Sequence, residues 1–169
     1  MTRKRPTKDE YYLNIAREVS LKSTCFRRAI GAIIIRDDQI ISTGYAGAPR
    51  KTKDSLEHGY CLRDKLKIPH GQRYELCRSV HAEQNAIINA ARAGVSLLGG
   101  DMYLHGSIPG KNKPINAFPC FICKKMIINA GLKRVICSTE KDKMEIFLVS
   151  DWVRDWQEND ILDDQQQYG

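Results

Sequence analysis

Three residues constrain the fold of this 169-residue chain more than its composition does. They are His81, which opens His81-Ala-Glu83, and the pair in Pro119-Cys120-Phe-Ile-Cys123. One histidine and two cysteines are the borderline-to-soft ligands suited to tetrahedral zinc. To share an ion, segments 39 residues apart must meet, each at the start of a predicted helix. A Cys-x-x-Cys pair alone also has the spacing of a thioredoxin-like redox motif, so either half is weak without the other.

Taken together the two halves point to chemistry. Cys120 and Cys123, at i and i+3, face one side of a first helical turn. Three protein ligands leave a fourth position for water. Two thiolates cancel the charge of Zn²⁺, and the positive ends of two helix dipoles remain to favour an anion there. Glu83 lies about 200° around a helix from His81, so it is better placed as a proton shuttle than as a fellow ligand. The pattern H-x-E…P-C-x-x-C is the signature of zinc deaminases. The competing reading is a structural Cys/His zinc knot with a bystander glutamate.

The remaining sequence supplies a scaffold. Thr7 and Glu10 form a capping-box pattern, and Tyr12, Ile15, Ala16 and Val19 follow at helical spacing, which predicts a helix over 8–22. The β-branched run 29–35, the Asp37-Asp38 break and the return at 40–44 predict a hairpin. Residues 45–80 read as a long connection, and loops of that length are functional or stiffened by something extra. A helix over 81–93, a strand over 102–105, a loop over 106–118, a helix over 120–130 and a strand over 134–137 follow. A last strand over 145–149, a helix over 151–158 with Trp152 and Trp156 docking it, and a fraying acidic tail complete the chain. We expect one domain over 1–150, then a C-terminal helix and tail over 151–169. This order implies an α/β fold with helices on a mixed sheet.

Composition narrows the class. No apolar run approaches a membrane span, and the basic N-terminus lacks a signal-peptide core, so we expect a soluble, cytoplasmic protein with no membrane partner. Net charge is +7, and residues 1–80 carry 17 Lys/Arg against 9 Asp/Glu. That half invites an anionic partner or is a solvated basic face.

Ile41-Ser-Thr-Gly-Tyr-Ala-Gly-Ala-Pro49, His81-Ala-Glu-Gln-Asn-Ala-Ile87 and the stretch from Pro119 to Gly131 resemble the zinc-dependent cytidine and deoxycytidylate deaminases, with the late-competence-operon branch nearest. The resemblance implies a three-layer α/β/α sandwich with a cytidine-deaminase-like mixed sheet of about five strands. It implies hydrolytic removal of a 4-amino group from a pyrimidine deoxynucleotide, most simply dCMP to dUMP and ammonia. His81, Cys120 and Cys123 match the family's zinc ligands, and Glu83 its general acid/base. A homo-oligomer, hexameric in relatives, is implied too.

Arg27 and Arg28 match positions where family members contact the nucleotide phosphate, and Ala82 lies between the two histidine-motif residues at the substrate. Lys111, in the 106–118 loop, is a further phosphate candidate. Ala46 replaces the asparagine that members commonly hold near the sugar. Some members carry a second, structural zinc; Cys25, Cys61 and Cys77, with His70, stand in matching places, although free cysteine is also a common buried small hydrophobe. Cys137, inside an apolar strand, reads as core. The rival function is a base deaminase on nucleic acid, such as tRNA adenosine or a single strand, which needs an aromatic-rich basic track. Aromatics are 8% of the chain, so a nucleic-acid partner is the weaker reading.

Overall fold

Residues 4–69, 71–111 and 113–159 are described by a computed structural model. Helix α1 (Lys8–Ser20) starts where the capping box places it. Thr7 Oγ1 accepts from the Glu10 N–H at 3.2 Å, and the Glu10 carboxylate accepts from the Thr7 N–H at 2.7 Å. Strands β1 (Ala29–Arg36) and β2 (Gln39–Tyr45) form the expected hairpin. The chain then passes through two four-residue helices, α2 (Ser55–His58) and α3 (Leu62–Lys65), and a 3₁₀ turn (Tyr74–Leu76). After α4 (Ala82–Arg92) come β3 (Asp101–Ile108), β4 (Lys113–Pro114), α5 (Phe121–Asn129), β5 (Arg134–Ser138), β6 (Met144–Leu148) and α6 (Val149–Glu158).

The sheet runs β2-β1-β3-β5-β6, with β4 paired to β3 beside this path. Only β3 and β5 are parallel, joined through α5; the other pairs are antiparallel. Alternation along the strands sends side chains to two cores. On one face Tyr12, Leu13 and Ala16 of α1 cover Ile33, Ile35, Tyr103 and Ile136. On the other, Ala82, Ala86 and Ala90 of α4, Ile127 of α5 and Trp152 of α6 cover Ala32, Ile34, Met102, Leu104, Val135 and Cys137. The result is the expected three-layer α/β/α sandwich, and Cys137 is core. Trp156 stacks on Phe121, with ring centroids 6.1 Å apart.

Close approach fixes where α4 lies. A Cβ on Gly44 would sit 2.3 Å from the Ala86 nitrogen, so β2 and the α4 backbone touch only because residue 44 has no side chain. Asn85 and Asn89, one turn apart, donate to the Tyr45 and Thr43 carbonyls, each at 2.8 Å. These bonds satisfy the outer edge of β2 and lock α4 along it.

Two expectations need correction. The loop read over 106–118 is partly a hairpin: β3 continues to Ile108, and Lys113 and Pro114 pair back on Ile108 and Ser107. Two paired residues carry no periodic signal, so the sequence could not show them. The 45–80 connection is not a plain loop either, since Asp54 and Glu57 cap α2 reciprocally, at 2.8 and 2.9 Å. The acidic tail from 160 onward lies outside the described residues. Among the described residues, no helix is long and apolar enough to cross a membrane.

Candidate active site

His81 is the N-cap of α4, and Cys120 is the N-cap of α5. Gln84 accepts from the His81 backbone N–H at 3.1 Å, which leaves the imidazole free for other work. Ahead of it, Val80 and Gly47 exchange backbone hydrogen bonds of 2.9 and 3.2 Å, so the approach to His81 is tied to the end of β2. Pro119, almost wholly buried, sets the entry to α5. Two helix N-termini therefore converge over one face of the sheet.

The three ligand atoms of His81, Cys120 and Cys123 lie within 4.8 Å of one another, the one such His/Cys/Asp/Glu group found among the described residues. His81 Nδ1 is 3.5 Å from Cys120 Sγ and 3.3 Å from Cys123 Sγ. A tetrahedral zinc with its usual bond lengths places nitrogen and sulfur about 3.5 Å apart. The residues present therefore fit zinc in both chemistry and spacing, through Nδ1.

The electrostatics agree with a site made for a cation. The hydrogen bond from Cys123 brings the Cys120 thiol down to about 4; burial opposes this and His81 assists it. Cys123 is pushed up, by donating to Cys120 and by burial. Burial works to lower His81, but its bond to Cys120 and the charge of Glu83 outweigh that and raise it. Glu83 is 5% exposed, and burial raises its carboxyl above the ordinary range. A carboxyl raised in this way holds a proton more readily than an ordinary carboxylate, as a proton-shuttling group must.

His81, Glu83 and Cys120 line a cavity of about 130 Å³ together with Arg27, Arg28, Ala46 and Ala82. Of the other candidates, Lys111 is exposed on the β3–β4 turn and is not among the residues lining this cavity. Arg27 faces the cavity but is engaged: its Nε donates to Asp64 at 2.7 Å, and its Nη2 reaches Asp64 and the Ile68 carbonyl. Cys25, Cys61 and Cys77 line the same cavity without forming a tight group among the described residues. His70 lies outside the described residues. Sequence reasoning missed Arg63, Tyr74, Asn116 and Phe118, which also line it. No motif marks them; the available signals were the length of the 45–80 connection for Arg63 and Tyr74 and that of the 106–118 loop for Asn116 and Phe118.

An α/β/α sandwich that brings a His/Cys/Cys set and a buried carboxyl together at two helix N-termini defines a class of fold built around a zinc-type site. Residues 6–139 match the model of the cytidine and deoxycytidylate deaminase zinc-binding region, and the chain belongs to that family. It is 31% identical over 135 residues to a deoxycytidylate deaminase of Schizosaccharomyces pombe, covering 80% of this chain and 38% of the relative. The chain thus spans well under half of that relative's length. It is also 31% identical over 142 residues to a deoxycytidylate deaminase of Mycobacterium phage D29, covering 80% of this chain and 98% of the relative. Among solved structures it resembles the dCMP deaminase of cyanophage S-TIM5 in complex with dCMP and dUMP. That match has 27% identity and a TM-score of 0.55, and covers 79% of this chain and 82% of the other.

Proposed function

We propose that this chain is a zinc-dependent hydrolytic deaminase of a pyrimidine deoxynucleotide, converting dCMP to dUMP and ammonia. The observation that carries the reading is the buried Glu83 sharing one cavity with His81 and Cys120. A structural zinc knot has no use for a costly buried carboxyl beside an accessible side of its ligands.

His81, Cys120 and Cys123 would hold one zinc. When bound, zinc supplies Lewis acidity at a fourth, unliganded position. Glu83 takes a proton from the attacking water and passes it to N3 as the C4–O bond forms. It then takes the remaining proton from the new C4 hydroxyl and delivers it to the 4-amino group, so that C4=O forms as the C4–N bond breaks and ammonia leaves. The α4 and α5 N-termini face the cluster and stabilise negative charge on the way. Ala46, with no hydrogen-bonding side chain, leaves the sugar weakly read. The test is ammonia release from a panel of dCMP, CMP, deoxycytidine, dCTP, AMP and single-stranded oligonucleotides. The largest kcat/KM is expected for dCMP, with CMP also used. Turnover of oligonucleotides alone would overturn the reading.

A second, structural zinc on Cys25, Cys61 and Cys77, with His70 as the fourth ligand, completes the proposed metal content. It is supported by the three cysteines lining one cavity. Elemental analysis should then give close to two zincs per chain, and Cys61→Ser should lower that ratio and the Tm. A ratio of one in wild type would remove the second site. The same reading places the protein in the cytoplasm as a homo-oligomer, hexameric as the resemblance implies, which light scattering checks.

A further inference from the structure

Arg63 has a charge that the fold answers only in part, with an aromatic face and nearby carboxylates but no direct ion pair among the described residues. Its side chain is 4% exposed, and its Nε has no hydrogen-bond partner among the described residues. The carboxylate beside it in sequence, Asp64, is taken by Arg27. Among the described residues Arg63 forms no ion pair. Its Nη2 donates to the Pro69 carbonyl at 3.0 Å. One carbonyl and one aromatic face replace only part of the water that a buried guanidinium gives up, which is costly.

Its position suggests what replaces the water. The guanidinium carbon lies 4.7 Å from the centroid of the Tyr74 ring, and Tyr74 meets the His81 ring edge-on at 4.9 Å. Arg63 thus stands one aromatic ring away from the metal-ligand histidine and lines the same cavity as Glu83. The Arg27–Asp64 pair and the Pro69 carbonyl hold α3 so that this side chain points inward rather than into solvent. A nucleotide with its base at the His81 cluster carries its 5′-phosphate several ångströms from the reacting carbon. The planar fork of arginine suits a phosphate, offering two parallel N–H donors.

We propose that Arg63, from the irregular connection, reads the 5′-phosphate of the substrate and that Arg27 acts as a positioning residue behind it. The proposal rests on the nucleotide reading above and gives that reading its specificity. A charge-assisted contact of this kind corresponds to about ten- to hundredfold in affinity.

The test compares product binding, which needs no turnover: calorimetric titration of wild type, R63Q and R63K with dUMP and with deoxyuridine, with zinc content and circular dichroism checked in each. Wild type is expected to prefer dUMP. That preference should fall at least tenfold in R63Q and recover in part in R63K, with zinc retained. Equal weakening of both ligands, or loss of zinc in R63Q, would overturn the proposal and assign Arg63 to packing against the cysteine cluster. An unchanged preference in R63Q would overturn it as well. Wild type that binds dUMP selectively but releases no ammonia from dCMP would sink the proposed activity while leaving Arg63 as a phosphate reader.

Discussion

The two walls of the cavity are built on different principles. His81, Glu83, Cys120 and Cys123 ride on the first turns of α4 and α5, helices that bury Ala82, Ala86, Ala90 and Ile127 against the sheet. The facing wall, with Cys61, Arg63, Tyr74 and Cys77, comes from a stretch with two four-residue helices and a 3₁₀ turn. That wall is held by polar bonds: Arg27 to Asp64, Arg63 to the Pro69 carbonyl, and Arg78 to the Tyr60 hydroxyl at 2.9 Å. Apolar contacts themselves carry no charge to titrate or to screen, whereas paired side chains do. On the proposed function, the reacting groups belong to the first wall and phosphate selection to the second.

The sharpest way to break this contrast is to disturb the first wall where it has no slack. Gly44→Ala should cost about 1–3 kcal/mol, lower the Tm by several degrees and reduce zinc content, because α4 must move off β2. An unchanged Tm and zinc content would show that the close approach of β2 and α4 does not set the ligand geometry. On the second wall, Asp64→Asn should leave Tm and zinc nearly as in wild type while raising the KM for dCMP up to about tenfold, since an exposed pair contributes little to stability. A fall in Tm as large as that of Gly44→Ala would erase the distinction.

The smallest effect separates the sheet, at its α1 side, from the clamp on α3 by pH. Burial, assisted by Arg17, holds His105 on β3 below its ordinary 6.5. The unfolded chain therefore takes up this proton first, and stability present above about pH 6.5 declines as pH falls below it. Asp64 is lowered from 3.8 by its bond to Arg27. Its contribution persists above that value and is lost as pH falls further, through the folded pKa. Between these two values the sheet should weaken while the clamp on α3 stays intact. Thermal melts from about pH 7 to 5 should show the decline in wild type, and a smaller one in His105→Gln. Equal slopes would remove His105 from the account.

What the sequence made legible follows the same division. The Thr7/Glu10 cap, the 29–44 hairpin and both ligand-bearing helices announce themselves through local periodicity and spacing, and the His81/Cys120/Cys123 set through its match to the zinc-deaminase signature. They fold by rules that act over a few residues. The role of Arg63 depends on Arg27, 36 positions earlier, having already claimed Asp64, and no local pattern records that. Arg27 itself was legible as a basic residue near the site, but not as one already paired. The Asp54/Glu57 cap of α2 was readable in principle; the short stretch after it lacks the apolar repeat that makes such a cap persuasive.

The central claim is that Glu83 moves protons beside a metal it does not hold. It is tested most directly by measuring zinc content and dCMP turnover on the same preparation of Glu83→Gln. The account predicts zinc equal to wild type, an unchanged circular dichroism spectrum, and turnover lower by about 10²–10⁴-fold. Turnover near wild type with zinc in place would contradict it, and loss of zinc would make Glu83 a ligand instead.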